Sequence, residues 1–278
     1  MKTDRFIKIY ILPILILSTL FSVNNDHFTT NEINSFIEKN MKNVSILNPI
    51  KELLFIESTM FNKQDISYAL SNIDLIYGMY YEKTNNNYFD ALINWHETIT
   101  NAGYINTTND IRSLTEGIKR KTLDCDIYAI FFLGSGWENK MNYFIINRKF
   151  TKYSKHSMIS FYSNDTVISF EPKWFRFFPN SSIERQYYTN VFTYSNAFKY
   201  IGLWNRAYHY EREDMIEKAV ADFIELSKIE NDEEYIFFKL TGYYALFLKN
   251  PTLADEYSSK MKQIKIDRRK RLFAANKK

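Results

Sequence analysis

The hydrophobic period changes twice along this chain, and the order of those periods limits the folds open to it. From about residue 28 to residue 115, apolar residues recur at helical spacing. From Met141 to about residue 172 they fall into short β-branched and aromatic runs parted by polar breaks, and from about Phe198 helical spacing returns. Helices, then strands that follow one another closely, then helices again, describe an α+β chain with an antiparallel sheet, not an alternating parallel one. With 45% hydrophobic residues in 33.3 kDa, the chain can fill one sizeable core and a smaller one.

The helical stripes are specific. "TTNEINSFIEKN" opens on threonine and carries Ile33, Phe36 and Ile37; "NPIKELLFIESTMF" places Pro49 in a first helical turn behind Asn48. "DISYALSNIDLIYGMYY" aligns Ile66, Ala69, Leu70, Ile73, Ile76 and Tyr77, and "NYFDALINWHETIT" aligns Phe89, Leu92, Ile93, His96 and Ile99. His96 on that apolar face reads as a packed histidine. "MNYFIINR", "HSMISFYS" and "TVISFEP" read as strands, the second and third joined in a hairpin that turns at Asn164–Asp165. Numbers of facing residues across that hairpin sum to 329, which puts Glu171 opposite Met158 and diagonal to His156.

The two ends carry different signals. Lys2, Arg5 and Lys8 precede the uncharged apolar run Ile9–Val23, the pattern of a signal peptide or an N-terminal membrane anchor within residues 1–25. The expectation is an exported protein, periplasmic, secreted or held at the outer face of a membrane through residues 9–23. At the other end, residues 260–278 hold nine Lys/Arg against one Asp, while the whole chain is only +4. The basic balance therefore belongs to the tail, residues 271–278 included, and reads as a solvated helix end; no nucleic-acid module is present. A repeat joins the last two helical blocks. At an offset of 35, Leu203 meets Phe238, Ala207 meets Gly242, Tyr208 meets Tyr243 and Ala219 meets Ala254. A helical repeat near 34 residues resembles the tetratricopeptide period, with Ala207 and Gly242 as points of close helix approach.

Cys125 is the only cysteine, which excludes an intramolecular disulfide and a multi-cysteine metal site. In "TLDCDIYAIFFL", Thr122 and Asp124 read as capping residues, and Ile127, Tyr128, Ile130 and Phe131 as a buried stripe. Cys125 then lies in a first helical turn, where free N–H groups and the helix dipole favour a thiolate, against the opposing charges of Asp124 and Asp126. A thiolate nucleophile needs a cationic partner. Of the four histidines, His27 follows the apolar run, His96 faces a core and His209 sits in the repeat, so His156 is the candidate base. Glu171 is the candidate that orients its ring. A thiolate–imidazolium pair would titrate with a low cysteine and a high histidine.

Cysteine at a helix start, histidine at a strand start and an acid–proline pair on the next strand, here Glu171–Pro172, 15 residues after His156, resemble the transglutaminase-like superfamily. "TLDCDIYA" is similar to the bacterial branch that joins this domain to tetratricopeptide repeats. Lys155 stands where glycine is usual before the histidine, and Phe170 where tryptophan is usual before the acid. The resemblance spans about residues 118–245. It implies a transglutaminase-like domain over 26–195 and a tetratricopeptide-like repeat over 196–270. It further implies an exported, cysteine-dependent acyl-transfer enzyme acting on amide bonds as a peptidase, deamidase or transglutaminase. Its triad would be Cys125, His156 and Glu171, its substrate a protein or peptide, with a further protein partner at the repeat and neither cofactor nor metal. An inactive binding module of the same architecture is the alternative.

Overall fold

The computed structural model describes residues 27–83, 87–107, 111, 113–149, 155–164, 166–180, 188–192, 194–230 and 233–275. The expected export segment, residues 9–23, and Asp165 of the expected turn lie outside them. Among the described residues no helix is long and apolar enough to cross a membrane.

Among the described residues four helices come first: α1 (Thr30–Asn40), α2 (Ile50–Glu57), α3 (Lys63–Tyr81) and α4 (Tyr88–Asn101). Local chemistry sets their starts. The Thr29 hydroxyl accepts from the Glu32 N–H while the Glu32 carboxylate accepts from the Thr29 N–H, a reciprocal cap. Asn48 Oδ1 accepts from the Ile50 N–H at 3.0 Å, so asparagine followed by proline starts α2 as the sequence indicates. On α3 every residue of the expected stripe is buried. On α4 the buried stripe is Ala91, Leu92, Trp95, Thr98 and Ile99, rotated from the expected one, because Trp95 takes the core position and leaves Phe89 and Ile93 at its margin.

A two-residue strand β1 (Ile105–Asn106) pairs in parallel with β2 (Thr122–Leu123), and α5 (Leu114–Arg120) lies between them. Thr122 is thus a strand residue and not a cap. Helix α6 (Cys125–Glu138) follows at once, capped by Asp124, whose side chain accepts from the Ile127 N–H. Every α6 residue from Ile127 to Gly136 is buried, so the expected stripe is in fact a helix surrounded on all sides. Its last-turn carbonyls find side-chain donors: Asn48 Nδ2 reaches Gly134 O at 3.0 Å and the Tyr81 hydroxyl reaches Ser135 O at 3.2 Å. Gly134 is required here, because the Tyr77 hydroxyl, bonded to Phe131 O at 2.8 Å, fills the space of a Cβ.

The sheet has five antiparallel strands in the order β6-β5-β4-β3-β7, with β3 (Phe144–Lys149), β4 (Lys155–Ser163), β5 (Thr166–Glu171), β6 (Arg176–Asn180) and β7 (Tyr188–Phe192). The register of β4 against β5, Ile159 with Phe170 through Ser163 with Thr166, follows the expected sum of 329. β6 and β7 carry no alternation that announces them. β6 contains Pro179, which an edge strand tolerates. One sheet face, with Ile145, Ile159, Phe161 and Phe170, joins the main core; Phe161 stacks on Tyr88 of α4 at 5.0 Å between ring centroids. The molecule is therefore a mixed helix-and-sheet, α+β fold.

The chain ends in two helical hairpins, α7 (Tyr194–Arg212) with α8 (Ile216–Ile229), and α9 (Glu234–Leu246) with α10 (Pro251–Ala275). Arg206 of α7 binds Asp222 of α8 through two N–H donors, at 2.8 and 2.6 Å. The repeat positions agree at Ala219 and Ala254, both buried, but Leu203 is buried whereas Phe238 is 58% exposed. Gly242 has nothing within 4 Å of a built Cβ, so it is no point of close approach; only Ala207 of that pair is packed. Helix α10 runs on through Ala275, so residues 271–275 continue a helix.

Helix α7 packs on α2, where a side chain at Gly202 would meet Ile56 at 2.9 Å and Leu53 at 3.1 Å. That seam predicts that limited proteolysis does not release residues 198–278 as a separate stable fragment. Early accumulation of such a fragment, with the remainder still folded, would contradict it.

Candidate active site

β4 and β5 position two of the three candidate residues. Side chains at diagonal positions of neighbouring antiparallel strands share a face. On that face His156 Nε2 meets Glu171 Oε2 directly. Glu171 is fully buried, and its other oxygen accepts from the Lys173 N–H at 2.7 Å. That bond curls the chain just after β5 and fixes the carboxylate. Met158, Ser160 and Ser169 are buried around the pair, and the two serine hydroxyls bond each other at 2.7 Å.

The start of α6 brings the third. Cys125 is half-buried in the first turn. β4 runs past the end of β5 at His156 and Ser157, which leaves the strand open there. The Ser157 N–H donates to the Cys125 sulfur. The thiol therefore meets β4 one residue from His156. Ser157 itself projects toward α6, and its hydroxyl bonds Asp126 Oδ1. His96 lies elsewhere, half-buried beside the core: its Nδ1 is 3.3 Å from the Tyr128 hydroxyl and its ring packs on Phe175 at 4.8 Å, a packed histidine.

Electrostatics here depart from the thiolate–imidazolium expectation. Burial, then the charges of Asp126 and Asp124, push the Cys125 thiol well above the usual cysteine range, against the Ser157 N–H. Burial pulls His156 below the usual histidine value, partly countered by Asp126. Burial also raises the Glu171 carboxyl. The sequence could announce a helix dipole and a base but not the depth of either group. Low dielectric disfavours charge on both, which favours a neutral thiol beside a neutral imidazole. A neutral thiol of this kind predicts slow alkylation by iodoacetamide at pH 7, rising only above the ordinary thiol range. Fast labelling at pH 6 would contradict it.

Chemically, the arrangement offers a sulfur nucleophile, an imidazole held at Nε2 by Glu171, and N–H groups of a helix start. Sequence reasoning missed Ser157 and the contact of Asp126 with it; a serine next to the histidine carries no signal until the strand is placed. A cavity of about 400 Å³ at the other end of α6, lined by Trp137, Glu138, Tyr194 and neighbours, holds none of these groups. Among the described residues no group of three or more His, Cys, Asp or Glu is arranged to hold a metal ion. No family model, no curated protein and no solved structure matches this chain.

Proposed function

We propose that this chain is a transglutaminase-like cysteine enzyme that performs acyl transfer on amide bonds of a protein or peptide. The observation that carries the reading is the His156–Glu171 pair beside the first turn of the helix that bears Cys125. His156 takes the thiol proton as sulfur attacks the amide carbon, then delivers it to the leaving amine. Because the thiol is neutral at rest, proton removal accompanies attack instead of preceding it. Glu171 holds the ring by Nε2 and stabilises the imidazolium that forms. The Cys125 N–H at the helix start is the natural first donor to the oxyanion. The intermediate is a thioester; water completes a peptidase or deamidase cycle and an amine a transglutaminase cycle. The basic and apolar residues before Asn24 support export, with contact to a membrane through residues 9–23.

The test is release of ammonia or amine, and incorporation of a fluorescent primary amine, on a peptide library with wild type, Cys125→Ala and His156→Ala. Activity that survives in both variants overturns the reading. Glu171→Gln keeps the shape and removes the charge. It is expected to lower turnover by at least about 10-fold with KM nearly unchanged, as loss of the group that orients the base does. Unchanged turnover would make Glu171 a structural partner only.

A second reading, a binding module with an inactive site, is favoured by one observation. Phe238, Leu246 and Phe247 are 58%, 72% and 56% exposed on or just after α9, an apolar surface suited to a protein partner.

A further inference from the structure

The proposed chemistry leaves one group at the thiol without a role. Asp126 is exposed, yet its Oδ1 accepts from the Cys125 thiol at 3.6 Å and from the Ser157 hydroxyl. A carboxylate in that place works against a cysteine nucleophile, since it stabilises S–H and repels S⁻. The contacts of Asp126 are to Cys125 and Ser157, and its charge also favours the protonated form of His156.

We propose that Asp126 is a charge-selecting gate of this site: its carboxylate holds the Cys125 thiol and the Ser157 hydroxyl until a cationic group of the incoming substrate draws it away. The proposal rests on the reading of Cys125 as nucleophile and adds the substrate class, peptides or amines that carry a positive charge next to the reacting group. Pairing with a cation removes the negative field from the sulfur and frees the thiol proton for His156. The charges around the thiol fit a cation. Asp124 caps the same helix, and Tyr200 of α7 lies within the fields of Asp126, Glu230 and Glu233 together. The Ser157 N–H reaches the sulfur from β4, and Glu171 is buried against the imidazole. Lys173 is a described cation near the imidazole, and its ammonium lies 5.5 Å from the Trp174 ring centre.

The experiment uses two methanethiosulfonate reagents of similar size, one with an ammonium and one with a sulfonate tail, on the full chain at pH 7.5 and low salt. Each forms a mixed disulfide with Cys125 and releases methanesulfinate, so no turnover is needed and failure of the catalytic reading does not affect the result. Rates are divided by those of a free model thiol. Wild type is expected to prefer the cationic reagent at least about tenfold, the effect of one nearby charge at the surface. Asp126→Asn should lose most of that preference and react faster with neutral iodoacetamide. Asp126→Ser, which keeps an oxygen for Ser157, should do the same, and Ser157→Ala should retain the preference. Equal rates for both reagents in wild type overturn the proposal, as does a preference that survives in Asp126→Asn or Asp126→Ser.

Discussion

Replacing His156 by alanine is expected to lower kcat/KM on any amide substrate of this protein by about 10² to 10⁴-fold, the usual contribution of a positioned base. The loss should exceed that of Glu171→Gln, because the Cys125 thiol is neutral at rest and attack needs an acceptor for its proton at that moment. A preformed thiolate would tolerate the loss better. The melting temperature of His156→Ala should stay within a few degrees of wild type, since the ring is partly exposed at a strand start. The pH profile carries the same signature. Burial pulls His156 below its ordinary value, so the acid-side fall in activity should lie at lower pH than an ordinary histidine gives. A steep fall from pH 8 to pH 6 would instead mean that the histidine titrates at its ordinary value or above.

The largest stability effect is expected at Glu57, far from the thiol in sequence and role. This carboxyl is fully buried on α2 and caps α5. It accepts from the Leu114 N–H at 2.7 Å, the Thr115 N–H at 2.9 Å and the Thr115 hydroxyl at 2.6 Å. Glu57→Ala strands three donors in the core and should cost about 3–5 kcal/mol. Burial, opposed by those three bonds, raises the carboxyl to about 7. The unfolded chain releases this proton near pH 4.5 and the folded one near 7, so the folded state binds more protons in that window. Glu57 thus contributes stability that is full below pH 4.5 and lost as pH rises to 7, about 3 kcal/mol across the window. Glu57→Gln should flatten that slope. Chemical denaturation at pH 5 and pH 7.5 measures both effects; a Glu57→Gln variant with the wild-type slope would contradict the assignment.

How much of this was legible beforehand depended on whether the signal was local. Helix starts at Thr29 and Asn48 were, because a cap is written within a few residues of the helix it serves. So was the meeting of His156 with Glu171, because a tight hairpin fixes register and register fixes faces. β6 and β7 were not, since an edge strand with a proline owes its pairing to neighbours already in place. The repeat misled at Phe238 and Gly242, where matching letters fall on an exposed surface. Likewise the charge state of Cys125 depends on burial and on Asp126, both tertiary facts; the helix-start argument alone points the other way.

On the proposed function, Cys125 carries an acyl group through a reaction set up by His156. Intact-protein mass spectrometry tests it directly, with a nitrophenyl acyl ester quenched in acid on the folded protein at pH 7.5. One acyl mass is expected, located on the peptide that holds Cys125, removed by hydroxylamine, absent from Cys125→Ala and at least about 10²-fold slower to form in His156→Ala. Acylation at other residues only, or at Cys125 only after denaturation, or at the same rate without His156, would contradict it.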